Sequence, residues 1–150
     1  LDRMRIRKED YMENLPYLYG QLLKAADELH ELYCDVVRDG QKPQELVGSS
    51  MFRSVSESPL RMLPVLSQRI MPYYAWAKVY RRKSDNENRK HAARAGWLYR
   101  VCEQITTRLW NSQTVPSRFN DEEKVQLFIG YLASFSEKEM KLEEESNHES

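Results

Sequence analysis

Few residues in this chain stand at spacings that chemistry requires. His30 and Cys34 lie one helical turn apart, which can present two metal ligands on one face. A closed zinc site needs four ligands, and His91, His148 and Cys102 are not paired at ligand spacing. Cys34 is therefore expected to be a core thiol and His30 a surface or rim residue. Cys34 or Cys102 with His91 is the one formal nucleophile–base combination, and no strained turn accompanies it. The carboxylate pairs Asp27–Glu31 and Glu28–Glu31 read as solvated charge on a helix face, and no glycine-rich phosphate loop stands near them. The residues predict a non-enzyme, with no cofactor and no metal.

Binding chemistry is better represented. Between Arg61 and Arg100 stand ten basic residues and two acids, Asp85 and Glu87, although the whole chain balances 23 against 23. The same stretch holds Tyr73, Tyr74, Trp76, Tyr80, Trp97 and Tyr99. Positive charge beside planar rings suits a phosphodiester backbone with unstacked bases. The candidate contacts are Arg69, Lys78, Arg81, Arg82, Lys83, Arg89, Lys90, Arg94 and Arg100, with Arg53 added from an earlier loop. Trp76 or Tyr80 could stack a base or could be buried. Charge and rings alone leave two readings open, a nucleic-acid face or an ordinary solvated helix surface.

Helices must position these residues, because strand signals are nearly absent: there is no sustained alternation and the chain has only five glycines. A first helix is predicted from Asn14 to Asp39, capped by Asn14, with Pro16 tolerated in its first turn and Gly40 closing it. A short helical piece follows around Ser50 to Val55. Ser58 and Pro59 open a second long block whose buried face is Leu60, Leu63, Leu66 (or Val65) and Ile70. Pro64 and Pro72 predict a bend or break near Met71. Ser84 and Glu87 suggest a capping box opening a third block, with Leu98, Val101 or Cys102, Ile105 and Leu109 as its stripe and Trp110 at its end. Asn120 caps the last helix ahead of three acids, and its expected core is Val125, Phe128, Leu132 and Phe135, with Ile129 beside them. The fold class is all-α: a helical bundle of four long helices plus one short helix.

The domain division is a basic N-terminal extension over 1–13, the bundle over 14–136 and an acidic tail over 137–150, read as a frayed helix end. At 150 residues, 41% hydrophobic and 31% charged, the chain can bury a single core. Two cysteines in ordinary core patterns, no apolar run near the ~20 residues that span a bilayer and no signal-peptide h-region point to the cytoplasm, with no membrane contact. The first residue, Leu1, suggests either a fragment or an internal start at a non-Met codon.

Four segments occur in a recognisable order: 17–23 (YLYGQLL), 50–59 (SMFRSVSESP), 64–70 (PVLSQRI) and 122–131 (EEKVQLFIGY). Together they resemble the C-terminal part of the large subunit of type I-C CRISPR effector complexes (Cascade), a region those systems also make separately, by internal translation, as the small subunit. The resemblance implies a non-catalytic helical subunit, present in more than one copy, beside the backbone and large subunits. It also implies contact with the guide RNA and target DNA, helping to hold the heteroduplex and the displaced strand. The alternative is a helical adaptor whose basic face binds an acidic protein without nucleic acid.

Overall fold

A computed structural model describes residues 14–133. The expectations for 1–13, for the acidic tail and for Phe135 lie outside the described residues. Five helices and no strand occur among those described: α1 (Leu15–Val37), α2 (Val47–Glu57), α3 (Pro59–Tyr80), α4 (Arg89–Trp110) and α5 (Asp121–Leu132). The all-α bundle with one short helix, α2, is the architecture that the periodicity implies.

The first helix is the hub, packing against all four others. Asn14 caps it, its side-chain oxygen accepting from the Tyr17 N–H at 3.2 Å, and Pro16 sits in the first turn. Asp39 and Gly40 both take positive φ, 51° and 81°, and the Gly40 N–H donates back to the Cys34 carbonyl at 3.0 Å. The helix therefore stops with two left-handed residues, where the sequence signalled one. Leu18, Leu22, Ala25 and Leu29, spaced at three and four residues, are fully buried, and Tyr33 and Val36 further along the same stripe are half-buried.

Several local expectations fail for identifiable reasons. Of the bend or break expected near Met71, the break does not occur: helix α3 runs continuously through Pro64 and Pro72. Both prolines lie on its exposed side, as do Leu60 and Gln68, whose carbonyls lose their partners. Water can satisfy those carbonyls, while Leu63, Leu66 and Ile70 hold the other face in the core. Leu60, expected inside, is exposed. The box between Ser84 and Glu87 does not open α4. The helix begins at Arg89, because Asn88 ties the turn together: its amide nitrogen donates to Asp85 Oδ2 at 3.0 Å and its oxygen accepts from the Tyr80 hydroxyl at 2.8 Å.

A further failure is the buried face of α5. Its capping box is present, with Asn120 and Glu123 exchanging bonds of 2.8 and 2.9 Å. Yet Val125, Phe128 and Leu132 are 54%, 51% and 58% exposed, and Leu127 and Gly130 face inward. Glycines decide this. A Cβ on Gly20 of α1 would overlap the Leu127 carbonyl oxygen and lie 2.6 Å from the Tyr131 nitrogen, and a Cβ on Gly130 would overlap the Tyr17 carbonyl. The two backbones thus touch where each helix has no side chain, and Gln21 Nε2 bridges the crossing to the carbonyls of Gly130 and Ala133. Close backbone approach won over the larger apolar stripe.

Candidate nucleic-acid interface

Ring and ion contacts fix the direction of each helix. His30 stacks on Tyr73 at 4.3 Å between centroids, and Tyr33 meets Trp76 edge-on at 5.4 Å. Lower down, the Tyr19 hydroxyl donates to the Pro59 carbonyl at 2.9 Å. Helices α1 and α3 therefore run the same way. Helix α4 runs against them, since the Tyr80 hydroxyl late in α3 meets Asn88 just ahead of α4 at 2.8 Å, while the earlier Tyr74 stacks on the later Tyr99 at 4.5 Å. The C-terminal ends of α1 and α3 and the N-terminal end of α4 meet at one pole of the bundle.

Five of the ten predicted cations gather there. Lys78, Arg82 and Lys83 leave the end of α3 and Arg89 and Lys90 open α4, all five exposed. A helix C-terminus favours Lys78, Arg82 and Lys83 by its dipole. Arg89 and Lys90 are different. They occupy a first turn that contains no acid, where the dipole disfavours cations by about 0.3–1 kcal/mol each. Asp85 and Glu87 in the turn offset part of that cost. Arg38, at the end of α1, joins the pole and is near enough to His30 and Tyr73 to act on both electrostatically. Sequence reading missed it because it stands among acids, with Asp35 and Asp39 on either side.

The other five predicted residues are partly built into the bundle or stand on other surfaces. Arg81 is half-buried, its guanidinium over Tyr99 and its Nε donating to the Lys78 carbonyl at 3.1 Å. Arg94 turns inward, bonding Glu28 of α1 at 3.0 Å and lying 4.8 Å above the Trp97 ring. Arg100 is half-buried beside Arg81, with Gly96 providing the space between them. Arg53 stands on α2, 91% exposed in its side chain, and pairs with Glu57 at 3.5 Å. Arg69 and Lys78 are nine residues apart, about two and a half helical turns, so they project to opposite flanks of α3.

The aromatic rings of the stretch are engaged with one another. Trp76 stacks on Tyr80 at 4.8 Å and meets Tyr33, while Tyr73 lies between His30 and Tyr33. These rings join α1 to α3, and Tyr74 with Tyr99 joins α3 to α4. Burial raises the Tyr74 and Tyr80 hydroxyls above their ordinary range, as expected of interior phenols. The pole therefore offers charge, with its rings committed to packing.

The pairing of Cys102 with His91 is not assembled. Cys102 is buried, and burial pushes its thiol up to about 12, while His91 is exposed eleven residues away, about 16 Å along α4. Cys34 is a core thiol as expected. His30 is not a rim residue: it is 8% exposed, and its Nδ1 accepts the Val47 N–H at 3.1 Å. Asp27, read as solvated charge, is 2% exposed and accepts from Gly48, Ser49 and Tyr131. A cleft of about 440 Å³, bordered by Asn14, Pro16, Pro116 and Glu122, lies by the N-terminal ends of α1 and α5. That is the opposite pole from the cations. Among the described residues, no helix is long and apolar enough to cross a membrane. No family model, no curated protein and no solved structure matches the chain.

Proposed function

We propose that this chain is a non-catalytic small subunit of a CRISPR Cascade complex, holding opened target DNA through the cationic pole at the α3–α4 turn. The observation that carries the reading is the convergence of Lys78, Arg82, Lys83, Arg89 and Lys90 on one exposed end, two of them against their own helix dipole. Local stability does not account for Arg89 and Lys90, and a polyanion would. The ordered segments of 17–131 supply the family. In that role the chain packs beside the backbone and large subunits, in more than one copy, near the guide RNA and target DNA.

The mechanism is electrostatic. Opening a target exchanges one duplex for a heteroduplex of similar stability, so contacts to the backbone of either strand tip the balance. With the rings committed to helix packing, recognition is of phosphates and is indifferent to base sequence. The test compares target-strand opening by complexes assembled with and without this chain. Weaker opening without it supports the reading, and equal opening with equal affinity overturns it.

One observation favours the alternative of a protein adaptor. Val125, Phe128 and Leu132 form an exposed apolar stripe on α5, with Phe128 edge-to-face on Phe52 of α2 at 6.1 Å. A protein neighbour would cover it, as a subunit or as the sole partner. Salt-sensitive binding of a single-stranded oligonucleotide separates the two.

A further inference from the structure

The start of α2 is capped from outside its own segment. Leu46 holds the N-cap position without a side-chain bond, so the first N–H groups of the helix need other acceptors. They find them on α1. Asp27 takes the Gly48 N–H at 2.6 Å and the Ser49 N–H at 3.0 Å, and His30 Nδ1 takes the Val47 N–H at 3.1 Å. Asp27 also receives the hydroxyls of Ser49 and of Tyr131, the latter from α5 at 2.5 Å. Gly48 is required by this docking, since a Cβ there would overlap the Leu23 carbonyl and lie 2.8 Å from Asp27 Oδ1. Two residues one turn apart on α1 thus hold a helix end tip-first.

We propose that His30 is a proton-operated latch on the first turn of α2, closed by the neutral imidazole and opened by the imidazolium. The bond to Val47 needs a bare Nδ1. A proton placed there removes the acceptor and sets two N–H groups against each other. The imidazolium would also be drawn toward Asp27, whose oxygens already serve Gly48, Ser49 and Tyr131. The groups that face His30 are Asp27, Glu31 and Arg38 of α1, the Val47 N–H of α2 and the Tyr73 ring of α3. Arg38 disfavours the proton and the two acids favour it, but burial outweighs them and keeps the ring neutral below its ordinary range. The closed latch is therefore complete above about pH 6.5 and is lost as the pH falls toward the depressed folded value. Only the leading turn opens, because Met51 and Val55 remain packed in the core.

The experiment follows amide hydrogen exchange in the full chain between about pH 7.5 and about pH 5, corrected for intrinsic exchange. Protection at Val47, Gly48 and Ser49 is expected to fall at least ~tenfold, the equivalent of one pKa unit. Leu22 and Val55 should keep theirs. In His30→Asn, whose side-chain oxygen can accept the Val47 N–H without titrating, the fall should vanish. An unchanged first turn, a loss shared equally by Leu22, or the same fall in His30→Asn would each overturn the latch. Nitrogen shifts of the wild-type ring give a check that needs no variant. An Nδ1 already protonated at about pH 7.5 would equally overturn it.

Discussion

Arg94 and Arg82 are both basic residues of the same stretch, and their surroundings give them different work. Arg94 has lost its freedom to Glu28 and Trp97, while Arg82 stands in solvent. Arg94→Ala should lower stability by about 1–3 kcal/mol in a denaturant titration, from the lost ion pair and ring contact. Arg82→Ala should stay within ~0.5 kcal/mol of wild type. Glu28→Gln sharpens the point. Burial raises the Glu28 carboxyl above its usual range more than Arg94 lowers it, so the pair does not repay the desolvation of the acid. Glu28→Gln should therefore cost less than Arg94→Ala, which leaves a half-buried carboxylate without its cation. Such distinctions were beyond the sequence: spacing puts a residue on a helix face, and only the neighbouring helix decides what that face meets. Cys34, Leu98 and Ile105 were legible because apolar periodicity names the buried side. Asp27 and His30 were not, because their acceptor role exists only once the end of α2 arrives.

Between elements, the contact most sensitive to one atom is the crossing of α1 and α5. Gly130→Ala or Gly20→Ala must push two backbones apart, and each should destabilise the protein by about 3 kcal/mol or more. Gly40→Ala is the control, because a Cβ there meets nothing within 4 Å and the only penalty is its φ of 81°, about 1 kcal/mol. Thermal or denaturant unfolding of the three variants checks the order. Helix existence and most boundaries were readable from Asn14, Pro59, Asn120 and the leucine spacing. The rotation of α5 was not, since a stripe of Val125, Phe128 and Leu132 outweighs a glycine in any apolar pattern. A glycine contributes nothing to periodicity and yet set the closest approach. The prolines of α3 do not break it for a related reason: their cost depends on which side of the helix faces water, and that side is fixed by packing.

At the scale of the whole molecule, a net charge of zero conceals an uneven distribution. The ends of α1 and α3 and the start of α4 collect exposed cations, while Asp121, Glu122 and Glu123 open α5 beside the start of α1, where Asn14 bonds Gln126 at 3.3 Å. The sequence showed the basic stretch and predicted ten contacts from it, but chain order could not sort them. Folding separates five that share a pole from Arg53 and Arg69 on other surfaces, and from Arg81, Arg94 and Arg100, which are partly built into the bundle. The central claim concerns those five. Binding of a single-stranded oligonucleotide, measured across a salt series, tests it most directly, with wild type beside a chain in which Lys78, Arg82, Lys83, Arg89 and Lys90 are changed to Glu. If about four to five phosphates are neutralised, log affinity should fall against log salt with a slope near −3. The variant should lose the slope and most of the affinity while its unfolding midpoint stays close to wild type. Equal affinity and an equal slope in the folded variant would contradict the account.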